Sequence, residues 1–360
     1  MTARNVGHDK RRARNGCACC YILPPHILEK LASHPDPKVR DAALGTQLAT
    51  HALRATRDIL SQGFRRSLKT GSLRRTVYDA GNEPDLPGNL VRGEGSAAVS
   101  DATVNEAYDG AGKTYTFYKE VFKRNSVDDQ GLRLDSTVHY REDPHQGFDN
   151  AFWNGEQMIY GDGDGVIFGR FTQCLEVIGH ELTHGVTQYE ANLAYNNQPG
   201  ALNESFSDVM GTLVLQYSKQ QTVKTASWLI GEQLFIAKGQ ALRSMKAPGT
   251  AYDTPELGSD PQPADMAHYA HLPNTPRGDY GGVHINSGIP NRAFYQACVH
   301  LGKAHAWDQA GPIWYDALCN RLKSKASFKT AKTATIASAQ DLYGKTEADA
   351  VRQAWVDVGV

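Results

Sequence analysis

A five-residue run near the centre of the chain, His180-Glu181-Leu182-Thr183-His184, most restricts how the chain can fold. Residues four apart lie on one face of a helix, so a helical segment would let both imidazoles bind one metal ion. Glu181 would then lie within reach of a water molecule on that metal. Because a catalytic zinc takes three protein ligands, the fold must also bring a second segment against this helix.

The third ligand is predicted twenty positions later, at Glu204. The surrounding stretch, residues 200–208, is periodic and apolar, which predicts a second helix. Asp208 lies one turn beyond Glu204 on the same face and suits an acceptor that orients a ligating imidazole. The alternative is that both carboxylates only cap or solvate the helix.

A second candidate group surrounds His284, which follows Gly281 and Gly282 and precedes Gly288. Glycines on both sides predict an accessible loop. An imidazolium held there by Asp279 would stabilise an oxyanion formed during amide hydrolysis. Without the metal motif, His284 would be interpreted as an ordinary loop residue.

The pattern of apolar and polar residues in the rest of the sequence predicts an α+β protein. A chain of 360 residues with 40% hydrophobic and 21% charged residues is expected to form two or three packed units. From residue 171 the pattern is helical, with a loop-rich interval at residues 247–282. Four runs between residues 75 and 165 predict strands: residues 76–78, 114–118, 134–140 and 157–160.

The net charge of −1 conceals a basic head and an acidic body. Residues 1–75 contain 15 Lys and Arg against 5 Asp and Glu, a charge of +10, which leaves −11 for residues 76–360. Asp36-Pro37 and the apolar spacing after it predict a helix in the head. A basic segment that covers an acidic body gains affinity from complementary fields. A nucleic-acid or membrane-binding arm, or a solvated helical face, are the alternatives. Few aromatic residues accompany the basic ones, so neither nucleic acid nor membrane is expected as a partner.

Targeting signals are weak. No apolar run approaches the length of a membrane-spanning helix. Residues 17–23 follow a basic stretch, but they are few, and no small-x-small cleavage site follows. We therefore expect cytoplasmic synthesis without a conventional signal peptide, with export by a non-classical route left open.

These segments together resemble the thermolysin-like zinc metalloproteases, or gluzincins, from about Arg75 to Val360. Further blocks carry the resemblance: residues 150–154, 158–165 and 242–245. Tyr21 to Leu28, with Pro24 and Pro25, resembles the short propeptide motif of the protealysin-like subgroup, although His26-Ile27 departs from its commonest form. The implied fold has a strand-rich N-terminal lobe and a helical C-terminal lobe, with the zinc helix between them and a helical propeptide in front. The predicted boundaries are 1–68 for the propeptide, 69–191 for the first lobe and 192–360 for the second.

The resemblance implies roles for individual residues. His180, His184 and Glu204 match the zinc ligands, and Glu181 matches the general base that moves a proton from zinc-bound water to the leaving amine. Tyr195 and His284 match the oxyanion-binding groups, with Asp279 holding His284. Groups that match those aligning the substrate are Asn150, the backbone of Ala151, and Arg243. An apolar primed-side pocket, which implies cleavage before bulky hydrophobic residues, is matched by Phe168, Phe171, Val177, Ile230 and Leu242; core packing is the alternative for these five.

One departure concerns calcium. The family's double calcium site uses a carboxylate cluster, of which Glu176 and Glu232 remain, whereas Leu215, Ser227 and Leu229 occupy other positions. A calcium ion needs about six to eight oxygen ligands, so this double site is predicted to be absent.

The head is interpreted as an intramolecular inhibitor, released by cleavage between about Arg54 and Arg75. Cys17, Cys19 and Cys20 suggest a thiolate on the zinc of the precursor; the alternative is that they are small packed residues. Protein or peptide substrates are the expected partners, and a dedicated proteinaceous inhibitor is left open. A catalytically silent peptide-binding protein and a zinc aminopeptidase are the rival functions. The latter is disfavoured because no G-x-M-E-N motif is present.

Overall fold

The computed structural model describes residues 20–60 and 72–360, and side chains at residues 21–50 and 72–360. Its first lobe is built on a six-stranded sheet with the order β1-β5-β6-β4-β2-β3. The strands are β1 (Cys20–Tyr21), β2 (Arg75–Asp79), β3 (Asn89–Gly93), β4 (Leu134–Val138), β5 (Ala151–Trp153) and β6 (Met158–Tyr160). β2, β4 and β6 run parallel, while β1, β3 and β5 are antiparallel to their neighbours.

Helices form most of the rest of the described chain, and the predicted two-lobe α+β architecture is confirmed. Two lie in the head: α1 (Pro25–Leu31) and α2 (Pro37–Leu60). Three build the centre: α3 (Ala102–Phe122), α4 (Leu175–Tyr189) and α5 (Asn197–Lys219). The C-terminal helices are α6 (Asp279–Asn286), α7 (Gly288–Leu301), α8 (Ala310–Asp316), α9 (Phe328–Leu342) and α10 (Lys345–Val356). Four two-residue strands lie between α5 and α6: β7 (Leu229–Ile230), β8 (Arg243–Ser244), β9 (Asp253–Thr254) and β10 (Gly258–Ser259).

Two glycines let α4 and α5 approach closely. A Cβ at Gly211 would lie 2.3 Å from the carbonyl oxygen of Glu176, and a Cβ at Gly179 would lie 3.0 Å from the Cα of Gly211. Both distances are shorter than ordinary van der Waals contacts. Small residues at this crossing therefore bring the predicted metal ligands of the two helices together.

The head contains the helix that the sequence predicts after Asp36-Pro37 and a shorter helix before it. Pro25 occupies the first turn of α1, where a missing backbone N–H costs nothing. α2 begins at Pro37, and the Asp36 side chain accepts a hydrogen bond from the Lys38 backbone N–H at 2.9 Å. Ile27, Leu28 and Leu31 are buried against the main core.

Two local predictions are wrong. Residues 114–118 lie inside α3, because Val104, Ala107, Ala111 and Tyr118 recur at helical spacing and bury one face, which outweighs the β propensity of that run. His284 lies near the end of α6 and is 2% exposed, so it is not on an accessible loop. Gly281 and Gly282, with φ of 87° and 76°, form a kink inside that helix.

Within the described ranges, no helix has both the length and the apolar composition needed to cross a membrane.

Candidate metal centre and substrate cleft

Three side chains converge between α4 and α5. His180, His184 and Glu204 each direct a ligand atom to a common point, and these atoms lie within 4.8 Å of one another. All three side chains are at most 1% exposed. The two imidazole Nε2 atoms face each other at 3.0 Å. The glutamate oxygens lie 3.4 Å from His180 Nε2 and 3.5 Å from His184 Nε2.

The outer nitrogen of each imidazole is held in place by a neighbour. His180 Nδ1 lies 2.8 Å from Asp208 Oδ1. His184 Nδ1 lies 2.9 Å from Asn203 Oδ1 and 3.1 Å from Ser207 Oγ. Because Nδ1 is engaged on both rings, each Nε2 is directed to the convergence point. Asp208 thus lies where the sequence predicts an acceptor that orients an imidazole. The same role of Asn203 and Ser207 was not predicted, although their positions next to Glu204 on α5 could have indicated it.

Glu181 lies between this cluster and the sheet. Its Oε2 accepts a hydrogen bond from the backbone N–H of Trp153 on β5 at 3.1 Å, and its Oε1 has no hydrogen-bond partner. Burial raises the pKa of Glu181 to about 8, against the opposing effect of His180. A carboxylate with one fixed oxygen and one unpartnered oxygen is arranged to exchange a proton with a bound molecule.

Tyr195 and His284 face the cluster from the C-terminal lobe. The Tyr195 hydroxyl donates to Glu204 at 2.5 Å and lies 3.2 Å from His284 Nε2. Asp279 accepts from His284 twice, from Nδ1 at 2.6 Å and from the backbone N–H at 2.7 Å. Burial lowers the pKa of His284, but Asp279 and Glu204 outweigh it and the net shift is upward. Gln262, which sequence reasoning missed, donates to the carbonyl oxygen of His284 at 2.7 Å.

The cleft between the lobes holds the chain's own head. β1 pairs with β5, with Tyr21 opposite Phe152, and becomes the edge strand of the sheet. His284 Nε2 donates to the carbonyl oxygen of Tyr21 at 2.8 Å, and the two rings stack with centroids 6.0 Å apart. The next residue, Ile22, is fully buried.

The groups predicted to align a substrate also contact the head. The backbone N–H of Ile22 donates to the carbonyl oxygen of Ala151 at 3.3 Å. Asn150 Oδ1 accepts from the backbone N–H of Leu23 at 3.2 Å. Arg243 donates to the carbonyl oxygen of Ile22 at 3.1 Å. Asn150, Ala151 and Arg243, which the sequence predicts to align a substrate, therefore all contact the same short segment of the head, residues 22–23.

The five residues predicted to line an apolar pocket are all buried, at 1% exposure or less, in the same hydrophobic cluster as Ile22 and Leu23: Phe168, Phe171, Val177, Ile230 and Leu242. Leu242 and Ile230 adjoin through a backbone hydrogen bond of 2.7 Å. Their burial in this cluster is compatible both with lining a substrate pocket and with packing in the core.

Two family descriptions match most of the chain. "Thermolysin metallopeptidase, catalytic domain" matches residues 56–188, and "Thermolysin metallopeptidase, alpha-helical domain" matches residues 191–360. The chain belongs to the thermolysin metallopeptidase family. Its activity is that of a metalloendopeptidase, and the predicted resemblance to thermolysin-like and protealysin-like enzymes is confirmed.

The proteins similar to this thermolysin-family chain are proteases, and one solved structure among them is that of a precursor. It is 47% identical over 344 residues to an extracellular metalloprotease of Pectobacterium carotovorum subsp. carotovorum, covering 95% of this chain and 96% of the relative. It is 42% identical over 346 residues to protease PrtS of Photorhabdus sp. (strain Az29), covering 94% and 91%. The solved structure of the precursor of protealysin, a metalloproteinase from Serratia proteamaculans, superposes with a TM-score of 0.84 at 47% identity, covering 95% of this chain and 99% of that one.

The family is zinc-dependent, and the donor set here fits zinc. Two imidazole nitrogens and one carboxylate oxygen, buried and convergent, are the ligand types of a catalytic zinc site. Glu204 Oε2 is buried and has no hydrogen-bond donor, as expected for an oxygen reserved for a cation. His180, His184 and Glu204 are thus the residues that would hold the metal.

Proposed function

We propose that this thermolysin-family chain is a latent zinc endopeptidase that cleaves peptide bonds before bulky apolar residues. The observation that carries the proposal is the position of residues 21–23, an extended strand on β5 beside Glu181 and His284. A substrate adding to the same sheet edge would meet the same donors and acceptors.

The roles of the side chains follow from their positions. Bound zinc supplies a Lewis acid that polarises the scissile carbonyl and lowers the pKa of a water molecule. Glu181 takes a proton from the attacking water and delivers it to the leaving nitrogen. His284, which already contacts the carbonyl oxygen of Tyr21, donates a hydrogen bond to the scissile carbonyl oxygen as negative charge develops on it. Tyr195 would have to turn its hydroxyl from Glu204 to the same oxygen to add a second hydrogen bond. Asp279 orients His284 and favours its charged form.

Specificity on the primed side is assigned to the apolar cluster around Ile22. Five apolar side chains of this cluster are assigned to the pocket, and none of them could pair with a charged substrate side chain, so an apolar substrate side chain is favoured. They are Phe168, Phe171, Val177, Ile230 and Leu242. Arg243 and Asn150 bind the substrate main chain and do not discriminate between side chains.

Latency is assigned to the head. Residues 21–23 occupy the cleft, and α1 anchors them through Ile27, Leu28 and Leu31. The predicted linker cleavage falls partly in residues 61–71, outside the described residues, and remains a prediction. So does the thiolate hypothesis, because Cys17, Cys19 and the side chain of Cys20 also lie outside them; the backbone of Cys20 pairs with Trp153.

We further propose that the double calcium site is absent, that a proteinaceous inhibitor is a candidate partner, and that neither nucleic acid nor membrane is a ligand. Synthesis in the cytoplasm without a conventional signal peptide, followed by non-classical export, is also proposed.

The deciding experiment uses an amino-blocked peptide with one internal leucine. The self-processed protein is expected to cut before leucine, to lose this activity with a zinc chelator, and to fail on a peptide with aspartate at that position. No hydrolysis would favour a silent peptide-binding protein. Hydrolysis of only unblocked peptides would favour an aminopeptidase.

A further inference from the structure

The hydrogen bonds of the head identify which of its peptide bonds lies at the catalytic groups. His284 contacts the carbonyl oxygen of Tyr21 at 2.8 Å, and the following N–H, of Ile22, is bonded to Ala151. The carbonyl of Ile22 is bonded to Arg243 and the N–H of Leu23 to Asn150. The carbonyl assigned to oxyanion binding therefore belongs to Tyr21, and every primed-side contact belongs to later residues.

We propose that the Tyr21–Ile22 bond is a self-cleavage site of the precursor. This inference rests on the proposed endopeptidase function. A water molecule adds to the carbonyl carbon of Tyr21, Glu181 takes its proton, and the C–N bond breaks as that proton passes to the nitrogen of Ile22. The products are a carboxylate at Tyr21 and an ammonium group at Ile22, which together hold all the atoms of the peptide and of the one water molecule, so hydrolysis needs no other reactant.

The polarity of the strand supports cleavage over simple blockage. A strand bound with reversed direction would present its carbonyl and N–H groups in the opposite order to His284 and Ala151. Here the order is carbonyl at His284, then N–H at Ala151, then carbonyl at Arg243. Ile22, a bulky apolar residue, also occupies the position for which the proposed specificity is strongest.

The cut alone is not expected to release the enzyme. Ile22 and Leu23 are fully buried, and Ile27, Leu28 and Leu31 hold α1 against the main core at 2% exposure or less. The new terminus at Ile22 therefore remains in the cleft as a bound product. Full activity then requires a second cut beyond α2, so activation has two steps.

The cut is intramolecular. Tyr21 is 3% exposed and Ile22 is fully buried in the cleft of its own chain, so a second molecule cannot reach the bond. Its rate is expected to be first-order and unchanged by dilution, whereas a cut in the linker by another molecule slows as the protein is diluted.

The first test follows the zinc-loaded full chain by intact-mass spectrometry. We expect residues 1–21 to be lost before any product appears that starts after residue 60, at a rate independent of concentration. Glu181→Gln should keep the bond intact. Hydrolysis of casein by a processed chain, with Tyr21–Ile22 never cut, would overturn this inference and leave the proposed function standing. Absence of all hydrolysis would overturn the function itself.

Matched variants in the head isolate the bond. Ile22→Asp places a charge in the apolar pocket and is expected to abolish the product that begins at residue 22. Leu48→Asp makes the same change on α2 at a side chain that is 60% exposed, and should leave the cut unaffected. Equal cleavage of the Tyr21 bond in both variants would contradict the proposed register.

Hydrogen exchange gives a readout that does not depend on turnover. In the Glu181→Gln precursor, the amides of Ile22 and Leu23 should both be protected, because each donates to the body of the enzyme. Asn150→Ala should lower protection at Leu23 more than at Ile22. The proposed register would be refuted if Asn150→Ala left the protection of the Leu23 amide unchanged, or if neither amide were protected in the Glu181→Gln precursor.

Discussion

The guanidinium of Arg243 donates two hydrogen bonds to Asp208, from Nε to Oδ2 and from Nη2 to Oδ1, each of 2.8 Å. Asp208 in turn lies 2.8 Å from Nδ1 of His180, a predicted metal ligand, and accepts a hydrogen bond from Asn291 at 2.8 Å. The third arm of Arg243 reaches the carbonyl oxygen of Ile22. One side chain thus links the chain in the cleft to a ligand of the metal.

Arg243→Lys is expected to lower kcat/KM on the blocked peptide by about 10- to 100-fold, as for other partners of a metal ligand. Lysine keeps the charge but cannot bond both carboxylate oxygens and the substrate carbonyl together. Arg133→Lys provides the control, because Arg133 makes the same paired contact with Asp135 on the surface. Equal kcat/KM for the two variants would show that the buried fork does not act on substrate.

Glu181→Ala is expected to retain zinc and lose casein hydrolysis, with kcat reduced by at least about 10³-fold. Glu181 contributes a proton acceptor, whereas the three ligands lie on other residues. Metal content by atomic absorption and casein digestion are the paired measurements, with Glu156→Ala as a surface control. Full digestion by a zinc-loaded Glu181→Ala protein would refute the assigned base.

The spacing of residues explains why the metal centre could be predicted from the sequence. Ligands at positions 180 and 184 need only a helix, and Glu204 needs only a second helix against the first. His284 was predicted correctly as a neighbour of Asp279 but wrongly as a loop residue. Four consecutive residues, 279–282, have positive φ values of 50° to 87°. In the sequence, the two glycines among them indicate a loop, which is why the helix was missed.

Contacts across long sequence separations could not be predicted. The run at residues 114–118 has strand-forming residues, and only packing against the rest of the core makes that segment a helix. The register of the head on β5 depends on hydrogen bonds between residues more than 100 positions apart, such as Leu23 with Asn150. The opposite charges of the head and the body indicated that the head covers the body, but they could not predict which residues of the head pair with which residues of β5.

Calcium is expected to shift the melting temperature very little. Glu176 is fully enclosed beside a cavity of about 160 Å³ that Lys219 and Glu232 also line. Burial raises the pKa of Glu176, and Lys219 already supplies a positive charge nearby. Leu215 and Leu229 also line the cavity, and their side chains offer no oxygen ligand. Thermal unfolding with and without calcium, with magnesium as the control, tests this; a rise of many degrees specific to calcium would contradict it.

His26 is expected to make the folded precursor less stable in acid. Its Nε2 lies 2.7 Å from the Tyr252 hydroxyl, and its Nδ1 is buried without a hydrogen-bond partner. Burial lowers the pKa of His26 from 6.5 to about 4; Asp279 opposes this shift, and His284 and Arg243 add to it. The unfolded chain therefore binds one more proton than the folded chain between about pH 4 and 6.5. The contribution of His26 to the free energy of unfolding is complete above pH 6.5 and is lost as the pH falls through that interval.

His26→Leu should remove this pH dependence, because leucine cannot be protonated. In the Glu181→Gln background, which prevents self-cleavage, the difference in unfolding free energy between parent and His26→Leu should move by about 2 kcal/mol in favour of the variant from pH 7 to pH 4.5, allowing for partial exposure of the ring. Urea unfolding at both pH values measures it, and groups common to both proteins cancel in the difference. The exposed His145→Leu supplies the matched control. A parallel pH profile for parent and His26→Leu would mean that the ring is protonated without cost in the folded precursor.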